Sequence, residues 1–397
     1  MTRPTRVISI YEGFFAGGAR ILHTDVVAGL HGPTQAHSVL AIASRARREN
    51  TMQHMEDDPR YRQLRHAGVE VVTLGRTADA HALDAVDFTT AELTLAAEAL
   101  RDADLVLTLK EQPLALLDAL RAHGLMPDVP VATCLHRSDP MHSGSALGRL
   151  SAATSDGRVS ATISCAQSTD HAYAQAGVRA AQRYVIRNGI DTERFAPAAD
   201  AERRRIRAEL GIPSSAAVVV FAARFDAMKD PGLFFRTAAV HAAQHPGTHF
   251  VLCGAGMTWD NAAFRALAAE SGVREATHVH ALGIRQDMPS IYQIADIVAL
   301  TSAFGEASPL CLIEGAACGA TPVTTRVGDS AAVVDGFGVI APAEPAAMAE
   351  AWRGVLLRRR TWRARALAAR PHLDRQRMLD DYRVVTETLL GRAEAAA

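Results

Sequence analysis

Two carboxylates flank a predicted helix start in the second half of the chain. Glu306 and Glu314 stand eight positions apart in SAFGEASPLCLIEGAACG, directly after the apolar run Ile297–Leu300, which is typical of a buried parallel strand. Ser308 and Pro309 there predict an N-cap and a helix that begins at Pro309. Amide groups at that start would attract a phosphate, and the carboxylates would accept hydroxyl hydrogen bonds. A nucleotide sugar carries both groups, although such glutamates can also serve only to stabilise a helix dipole.

Two cations follow another predicted strand. Arg224 and Lys229 come after VVVFAA, five positions apart. Breaking a sugar–phosphate bond places negative charge on the departing diphosphate, so fixed cations near that charge lower the barrier. The alternative is that Arg224 closes a strand and Lys229 is an ordinary solvated side chain.

Short apolar runs alternate with amphipathic segments along the whole chain, a pattern typical of parallel α/β sheets. The strands predicted in the first half are Val7–Ile10, Ser38–Ile42, Val69–Leu74, Leu105–Leu109, Val129–Leu135, Ala161–Cys165 and Tyr184–Ile186. Those predicted in the second half are Val218–Ala222, His249–Cys253, His278–Leu282, Ile297–Leu300 and Val323–Thr325. A last helix is predicted over Leu373–Leu390.

A chain of 397 residues exceeds the usual size of one domain. The turn-rich NGID sequence marks the boundary, so we predict an α/β protein of two Rossmann-like, doubly wound domains, residues 1–190 and 191–372. We predict a terminal helix segment for residues 373–397. Ligands of such sheets bind beyond the carboxyl ends of the strands, and two facing sheets would form a cleft.

The chain resembles retaining glycosyltransferases with the GT-B fold, in particular family 4, also called group 1. The E-x7-E segment carries this resemblance, and four more motifs occur in the family's order. They are RNGIDTERFAP from Arg187, FAARFDAMKDPG from Phe221, FVLCGAG from Phe250 and LGIRQDMPSIYQIADIVALTS from Leu282. The resemblance implies two domains that face each other across a cleft, and a terminal helix that returns to the first domain.

The resemblance also assigns roles on the donor side. Arg224 and Lys229 would bind the donor phosphates, Glu306 would hold hydroxyls of the transferred sugar, and Glu314 would hold the ribose. The helix start would face the phosphates or the sugar, although proline has no amide donor. The residues of that start are Ser308, Pro309, Leu310 and Cys311.

Further site residues follow other predicted strands. Gly17 and Gly18, in the first loop, would let backbone amides approach a phosphate or the transferred sugar. His136 resembles a histidine of the donor-sugar pocket, and a structural histidine is the alternative. Gly254 would permit close approach of the chain. By the same resemblance, the backbone of Ile284 would hold the nucleobase and Arg285 would cover its ring.

Together these residues predict a metal-independent hexosyltransferase-like enzyme that moves a sugar from a nucleoside diphosphate, such as UDP, to a hydroxyl of a small polar acceptor. The resemblance implies retention of anomeric configuration. An epimerase or phosphorylase of the same fold, or a non-catalytic nucleotide-sugar-binding protein, remains an alternative. The acceptor candidates lie near strand ends of the first domain: Glu12, Arg20, Arg137, Asp139 and His142.

Composition limits the other functions. A net charge of −1 argues against nucleic acid as the main partner, and the absence of a long apolar run argues against a membrane segment and for a cytoplasmic protein. The Ala- and Arg-rich composition indicates a bacterial source. We expect no cofactor beyond the nucleotide-sugar substrate and no metal, since His278 and His280 lack further ligands at a recognisable spacing.

The five cysteines are expected to be reduced core residues. The charged segment Ser44–Arg65 is interpreted as a solvated helix. Nothing in the sequence indicates the oligomeric state.

Overall fold

The computed structural model describes residues 3–14, 18–48, 51–78, 83–273 and 278–391. The chain divides into two compact units. Unit 1 comprises Met1–Asn188 and Gln376–Ala397, and unit 2 comprises Gly189–Arg375. The polypeptide therefore leaves unit 1 once and returns to it at the end.

Unit 1 contains an eight-stranded sheet. Its strands are β1 (Thr5–Gly13), β2 (Gln35–Arg48), β3 (Thr51–His54), β4 (Glu70–Ala78), β5 (Leu105–Leu109), β6 (Val131–Leu135), β7 (Ala161–Ser164) and β8 (Gln182–Val185). The order β2-β1-β5-β6-β7-β8 is parallel throughout; β4 pairs with β2 in parallel, and β3 pairs with the end of β2 in the antiparallel sense. Consecutive parallel strands need crossover connections, which helices supply here.

The helices of unit 1 lie between these strands, apart from the last one. They are α1 (Gly18–Leu30), α2 (Pro59–His66), α3 (Thr90–Leu100), α4 (Leu114–Ala122), α5 (Ser145–Ser155), α6 (Gln167–Gln175) and, at the end of the chain, α16 (Arg375–Leu389). The side chain of Leu379 on α16 packs against Gly29 of α1, where an added Cβ would lie 2.6 Å from a Leu379 methyl carbon. The last helix therefore completes the core of unit 1.

Unit 2 contains a six-stranded parallel sheet in the order β11-β10-β9-β12-β13-β14. Its strands are β9 (Ala217–Ala222), β10 (Thr248–Cys253), β11 (Val279–Gly283), β12 (Ile297–Leu300), β13 (Thr321–Thr324) and β14 (Val339–Ile340). The chain order reverses direction between β9 and β12, which pair with each other. Such a reversal is the position where doubly wound sheets bind ligands.

The helices of unit 2 are α7 (Asp200–Glu209), α8 (Pro231–Gln244), α9 (Ala262–Glu270), α10 (Met288–Ile294), α11 (Leu310–Ala317), α12 (Ser330–Val333), α13 (Pro345–Leu357), α14 (Arg359–Ala368) and α15 (Arg370–Leu373). Strands β10, β12 and β13 of this sheet are fully buried, and Val218, Val219 and Val220 of β9 have no exposed surface. Helices that cover both faces explain this burial and the near-continuous apolar runs in the sequence.

The prediction of two doubly wound α/β sheets is confirmed, and β5 and β12 have the predicted bounds. The interpretation of Ser44–Arg65 as one solvated helix is wrong. Residues up to Arg48 extend β2, Thr51–His54 form β3, and only Pro59–His66 are helical. Alternating charges do not distinguish the two structures, because they are typical of the surface of a helix as well as of an edge strand. The sequence therefore did not indicate this short antiparallel extension. Extended Asp374 also interrupts the predicted last helix between α15 and α16.

Among the described residues, no helix combines the length and apolar character that crossing a bilayer requires.

Candidate functional site

The loops that follow β9 and β12 begin side by side, because these two strands pair through Ile297 and Val219. Further hydrogen bonds tie the loops together. The Thr301 hydroxyl donates to the carbonyls of Lys229 (3.0 Å) and Asp230 (2.9 Å). The two chemically distinctive segments of the sequence, one acidic and one basic, therefore lie together at the carboxyl edge of unit 2.

Glu306 is the centre of this arrangement. It is only 4% exposed. Its Oε1 accepts a hydrogen bond from Lys229 Nζ, in an ion pair, and another from Ser302 Oγ at 2.5 Å. The carbonyl of Ser302 in turn accepts from Thr325 Oγ1 at 2.7 Å. Because its carboxylate is fixed by a cation and a hydroxyl group, Glu306 has a defined orientation.

The loop after β13 holds Glu306 from another side. Gly328 has a φ of 52°, and a Cβ placed there would lie 1.6 Å from the Glu306 carbonyl oxygen. The neighbouring amide of Asp329 donates to the carbonyl of Ala307 at 3.2 Å. Only glycine allows this approach, both because of its φ and because of the available space.

Helix α11 begins one residue later than predicted. Pro309, with φ −71° and ψ 115°, is the N-cap, and no side chain caps it. The extended ψ of Pro309 places it outside the helix, so the prediction that Ser308 is the N-cap and Pro309 the first helical residue is wrong. The amides of Leu310 and Cys311 belong to the first turn, where intrahelical acceptors are missing. Gly315 brings the helix close to β12, since a Cβ there would lie 2.6 Å from a methyl of Val298.

Glu314 lies farther along α11 and accepts a hydrogen bond from the buried Tyr292 hydroxyl. Burial raises the pKa of Glu314 to about 7, against the opposing effects of that hydrogen bond and of the Arg194 charge. Burial also raises the pKa of the Cys311 thiol to about 12, with Lys229 opposing the rise and both glutamates adding to it. The two predicted carboxylates thus act electrostatically on the same first turn of α11.

The two predicted cations differ in their surroundings. The Lys229 side chain is 15% exposed and pairs with Glu306. The Arg224 side chain is 67% exposed and pairs with Asp226 at 3.0 Å. An exposed guanidinium on a loop can turn towards a ligand, whereas Lys229 is already engaged at the carboxylate.

Two further loops of unit 2 contain the predicted nucleobase contacts. The amide of Gly254 donates to the carbonyl of Gly283 at 2.8 Å, so the loops after β10 and β11 are adjacent. Gly254 has a φ of 139°, and a Cβ there would lie 1.9 Å from the carbonyl oxygen of Ala223. Ile284 is 70% exposed. Arg285 makes two hydrogen bonds to Asp287, at 2.8 and 2.7 Å, which fix its guanidinium.

The remaining predicted residues belong to unit 1. Gly17 lies outside the described residues, and Gly18 is the exposed first residue of α1. His136 follows β6, and its Nε2 is buried without a hydrogen-bond partner among the described residues. Burial, reinforced by the charge of Lys110, lowers the pKa of His136 to about 3, so its ring is neutral at pH 7. Among the acceptor candidates, Asp139 and His142 pair at 2.8 Å.

Comparison with known proteins supports the same interpretation. Residues 216–357 match the model of the family "Glycosyl transferases group 1". The chain is similar to D-inositol 3-phosphate glycosyltransferases of Corynebacterium jeikeium, 32% identical over 38% of this chain and 37% of that one, and of Saccharomonospora viridis, 31% identical over 52% and 51%. The chain thus spans about half the length of these relatives, or less.

The solved structure of Anabaena HepE in complex with UDP covers 98% of this chain and 100% of its own, with a TM-score of 0.77 at 20% identity. The same protein in complex with UDP-glucose covers 97% and 99%, with a TM-score of 0.74 at 19% identity. At this identity the likeness shows the fold. The chain has the GT-B fold, and its residues 216–357 are similar to the group 1 glycosyltransferase family.

Sequence reasoning missed three residues of the site in this GT-B protein. Ser302 and Tyr292 donate to the two glutamates, and Arg194 acts electrostatically on Glu314. Ser302 is the second residue after β12, a position where polar residues of α/β sheets often bind ligands, so a local signal existed. Tyr292 and Arg194 had no such signal, because their proximity to Glu314 depends on how α10 and the segment before α7 pack.

A histidine cluster lies at the other edge of the same sheet. His249 Nδ1 and His280 Nε2 are 2.9 Å apart, and the ring of His278 stacks on that of His249 with centroids separated by 4.3 Å. Within the described part of the chain, no group of three or more His, Cys, Asp or Glu residues is arranged to hold a metal ion. The three imidazoles thus contact each other in pairs rather than converging on one point.

Proposed function

We propose that this protein is a glycosyltransferase that moves a sugar from a UDP-sugar to a hydroxyl group of a small polar acceptor, with retention of anomeric configuration. The observation that carries the proposal is the buried Glu306 carboxylate, held by Lys229 and Ser302 beside the first turn of α11. The family match and the UDP complexes of a protein with the same fold support a nucleotide-sugar donor.

In this proposal, unit 2 binds the donor. The first turn of α11, Lys229 and a reoriented Arg224 stabilise the charge that develops on the departing UDP, because fixed dipoles and cations placed where charge grows lower the barrier. Glu306 accepts hydrogen bonds from hydroxyls of the transferred sugar, and Glu314 accepts them from the ribose. Glu306 orients the sugar and forms no covalent intermediate; the leaving phosphate takes the acceptor proton.

The first experiment is a transfer assay with UDP-glucose, other UDP-sugars and the GDP, ADP and dTDP equivalents against a panel of small hydroxylated acceptors. Mass spectrometry detects the product, and NMR determines its anomeric configuration. We expect a product that keeps the configuration of the donor, and turnover that persists in EDTA because the proposal uses no metal or cofactor. An epimerised nucleotide sugar, a reaction that depends on inorganic phosphate, or nucleotide binding without turnover would each contradict the proposal.

The matched variants are Glu306→Gln and Glu270→Gln. Glu270 is an exposed glutamate at the end of α9. Removing the charge of Glu306 should reduce kcat by a factor of about 100 or more, since losing one preorganised electrostatic contact in a catalytic site has effects of this size. UDP binding should survive, and Glu270→Gln should behave like wild type. Full turnover in Glu306→Gln would refute the role of this carboxylate.

A further inference from the structure

Three cationic side chains gather at the carboxyl edge of the sheet in unit 1. Lys110 directly follows β5, Arg137 follows β6, and Arg20 lies in the first turn of α1. The amide of Lys110 donates to the carbonyl of Cys134 at 2.9 Å, so the ends of β5 and β6 are in register. Neighbouring strands lie about 4.8 Å apart, which brings the first residues beyond β5 and β6 close together.

Within the described residues, two of these cations form no ion pair. Arg20 lies 3.4 Å from Glu12. By contrast, within the described ranges no carboxylate lies within 4.0 Å of Lys110 or Arg137. Glu111, the residue after Lys110, is buried and accepts from the Tyr173 hydroxyl; burial raises its pKa, and the charges of Arg137 and Lys110 oppose the rise.

The cations also act on one another. The pKa of Lys110 is lowered to about 8, mainly by burial and in addition by the charges of Arg20 and Arg137, while Glu12 and Glu111 oppose the shift. Mutual repulsion of this kind is unfavourable in the free protein. A negative group bound between the cations would relieve it.

Unsatisfied polar atoms mark the same edge. Arg137 Nε, His136 Nε2 and Gln112 Oε1 are buried without hydrogen-bond partners among the described residues. Such atoms are uncommon in folded proteins, and several in one place indicate a missing partner. Lys110 also has a left-handed backbone with a φ of 67°, and non-glycine residues in this conformation cluster at ligand sites.

We infer that Lys110 and Arg137 bind an anionic group, a phosphoryl or carboxylate group, carried by the acceptor. The inference that the acceptor carries this anion rests on the proposed function. The anion site itself depends only on the residues of unit 1. The cations proposed for the donor diphosphate, Arg224 and Lys229, both belong to unit 2, so Lys110 and Arg137 form a separate set of cations. The chain as a whole carries a net charge of −1, so these cations do not belong to a generally basic surface.

The anion site is tested by calorimetric titration of inorganic phosphate, and separately of acetate, into the full chain at pH 7 with saturating UDP. UDP occupies the diphosphate site, so the titrated anion reports on another position. We expect Lys110→Met and Arg137→Met each to weaken binding of at least one of the two anions by tenfold or more. Arg101→Met removes an exposed cation of the same unit that pairs with Glu98, and should leave the affinity unchanged. Wild-type affinities retained in Lys110→Met and Arg137→Met, or no binding of either anion to wild type, would overturn the inference.

A transfer assay then separates the two sources of the anion. With the active donor, glucose 6-phosphate, glucuronate and glucose are compared as acceptors and as competitors of the transfer reaction. Preference for the phosphorylated or the carboxylated sugar, with a KM that rises at least tenfold in Lys110→Met while hydrolysis of the donor is unchanged, identifies the group. Equal behaviour of all three sugars would overturn the acceptor assignment. Loss of all transfer with phosphate or acetate binding intact would refute the proposed function and spare the anion site.

Discussion

The orientation of the Glu306 carboxylate depends on the residues that surround it. Lys229 neutralises it, and Ser302 donates to the same oxygen, with Thr325 holding the Ser302 carbonyl. Charge-assisted hydrogen bonds of this type are shorter and stronger than neutral ones. The arrangement therefore makes Ser302 a positioning residue for Glu306.

Ser302→Ala should lower kcat about tenfold, since a hydrogen bond to a charged group contributes about 1.5 kcal/mol. UDP affinity should not change, because Ser302 acts through Glu306. Steady-state kinetics and UDP titration provide the two measurements, and Ser214→Ala, at an exposed serine of the same unit, is the control. A variant that loses UDP affinity and kcat in equal proportion would indicate a general structural defect instead. Restored turnover in Ser302→Thr would strengthen the assignment.

Glu314 predicts a pH dependence of stability. Its pKa is raised from 4.5 in the unfolded chain to about 7 in the fold. The folded state therefore holds a proton that the unfolded state has lost, and stability falls as pH rises from about 4.5 to 7. Glu314→Gln should remove this loss, on the order of 2 kcal/mol at pH 8. The measurement is the melting temperature of the variant minus that of wild type at pH 4.5 and pH 8, with Glu270→Gln as control. A difference that does not grow with pH would contradict the shift.

The loop after β13 contacts the loop that carries Glu306 and restricts its position. Gly328→Ala would force a Cβ into the Glu306 carbonyl, whereas Gly336, also with positive φ, has open space around it. We expect Gly328→Ala to reduce stability by about 3 kcal/mol and turnover at least tenfold, and Gly336→Ala to reduce stability by about 1 kcal/mol without affecting turnover. Thermal melting and the transfer assay distinguish them. Equal effects of the two substitutions would show that φ alone, and not the contact with Glu306, is important.

The fold could be predicted from the sequence because its main signal is local. Parallel strands covered on both faces are continuous apolar runs, and the predicted bounds of β5 and β12 are exact. The extension of β2 into β3 was missed because its residues are charged and its pairing is not local. In the site, the spacing of Glu306 and Glu314, the cation Lys229 and the position of Ser302 after a strand are local signals. The pairing of Lys229 with Glu306 and the proximity of Tyr292 to Glu314 depend on how separate loops and helices pack. The roles carried over from the family stay predictions.

At the scale of the whole molecule, α16 belongs to unit 1 although unit 2 precedes it in the chain. Leu379 is 4% exposed and packs on Gly29, whereas Val384 on the same helix is 60% exposed. Leu379→Ala should destabilise unit 1 by about 3 kcal/mol, since it leaves a cavity, and Val384→Ala should change it by about 0.5 kcal/mol or less. Hydrogen exchange followed by mass spectrometry reports on each unit separately. Loss of protection in unit 2 instead of unit 1 would contradict this division.

The late return of the chain has a consequence for biosynthesis. A ribosome adds about 5 to 20 residues per second, so residues 376–391 follow Asn188 after roughly ten to forty seconds. During that interval the surface of α1 that receives Leu379 is uncovered, while unit 2 can already be complete. We therefore expect nascent chains stalled after Arg375, with a linker that spans the exit tunnel, to be cleaved by protease in unit 1 and protected in unit 2. Equal protection of both units would show that unit 1 folds during synthesis without α16.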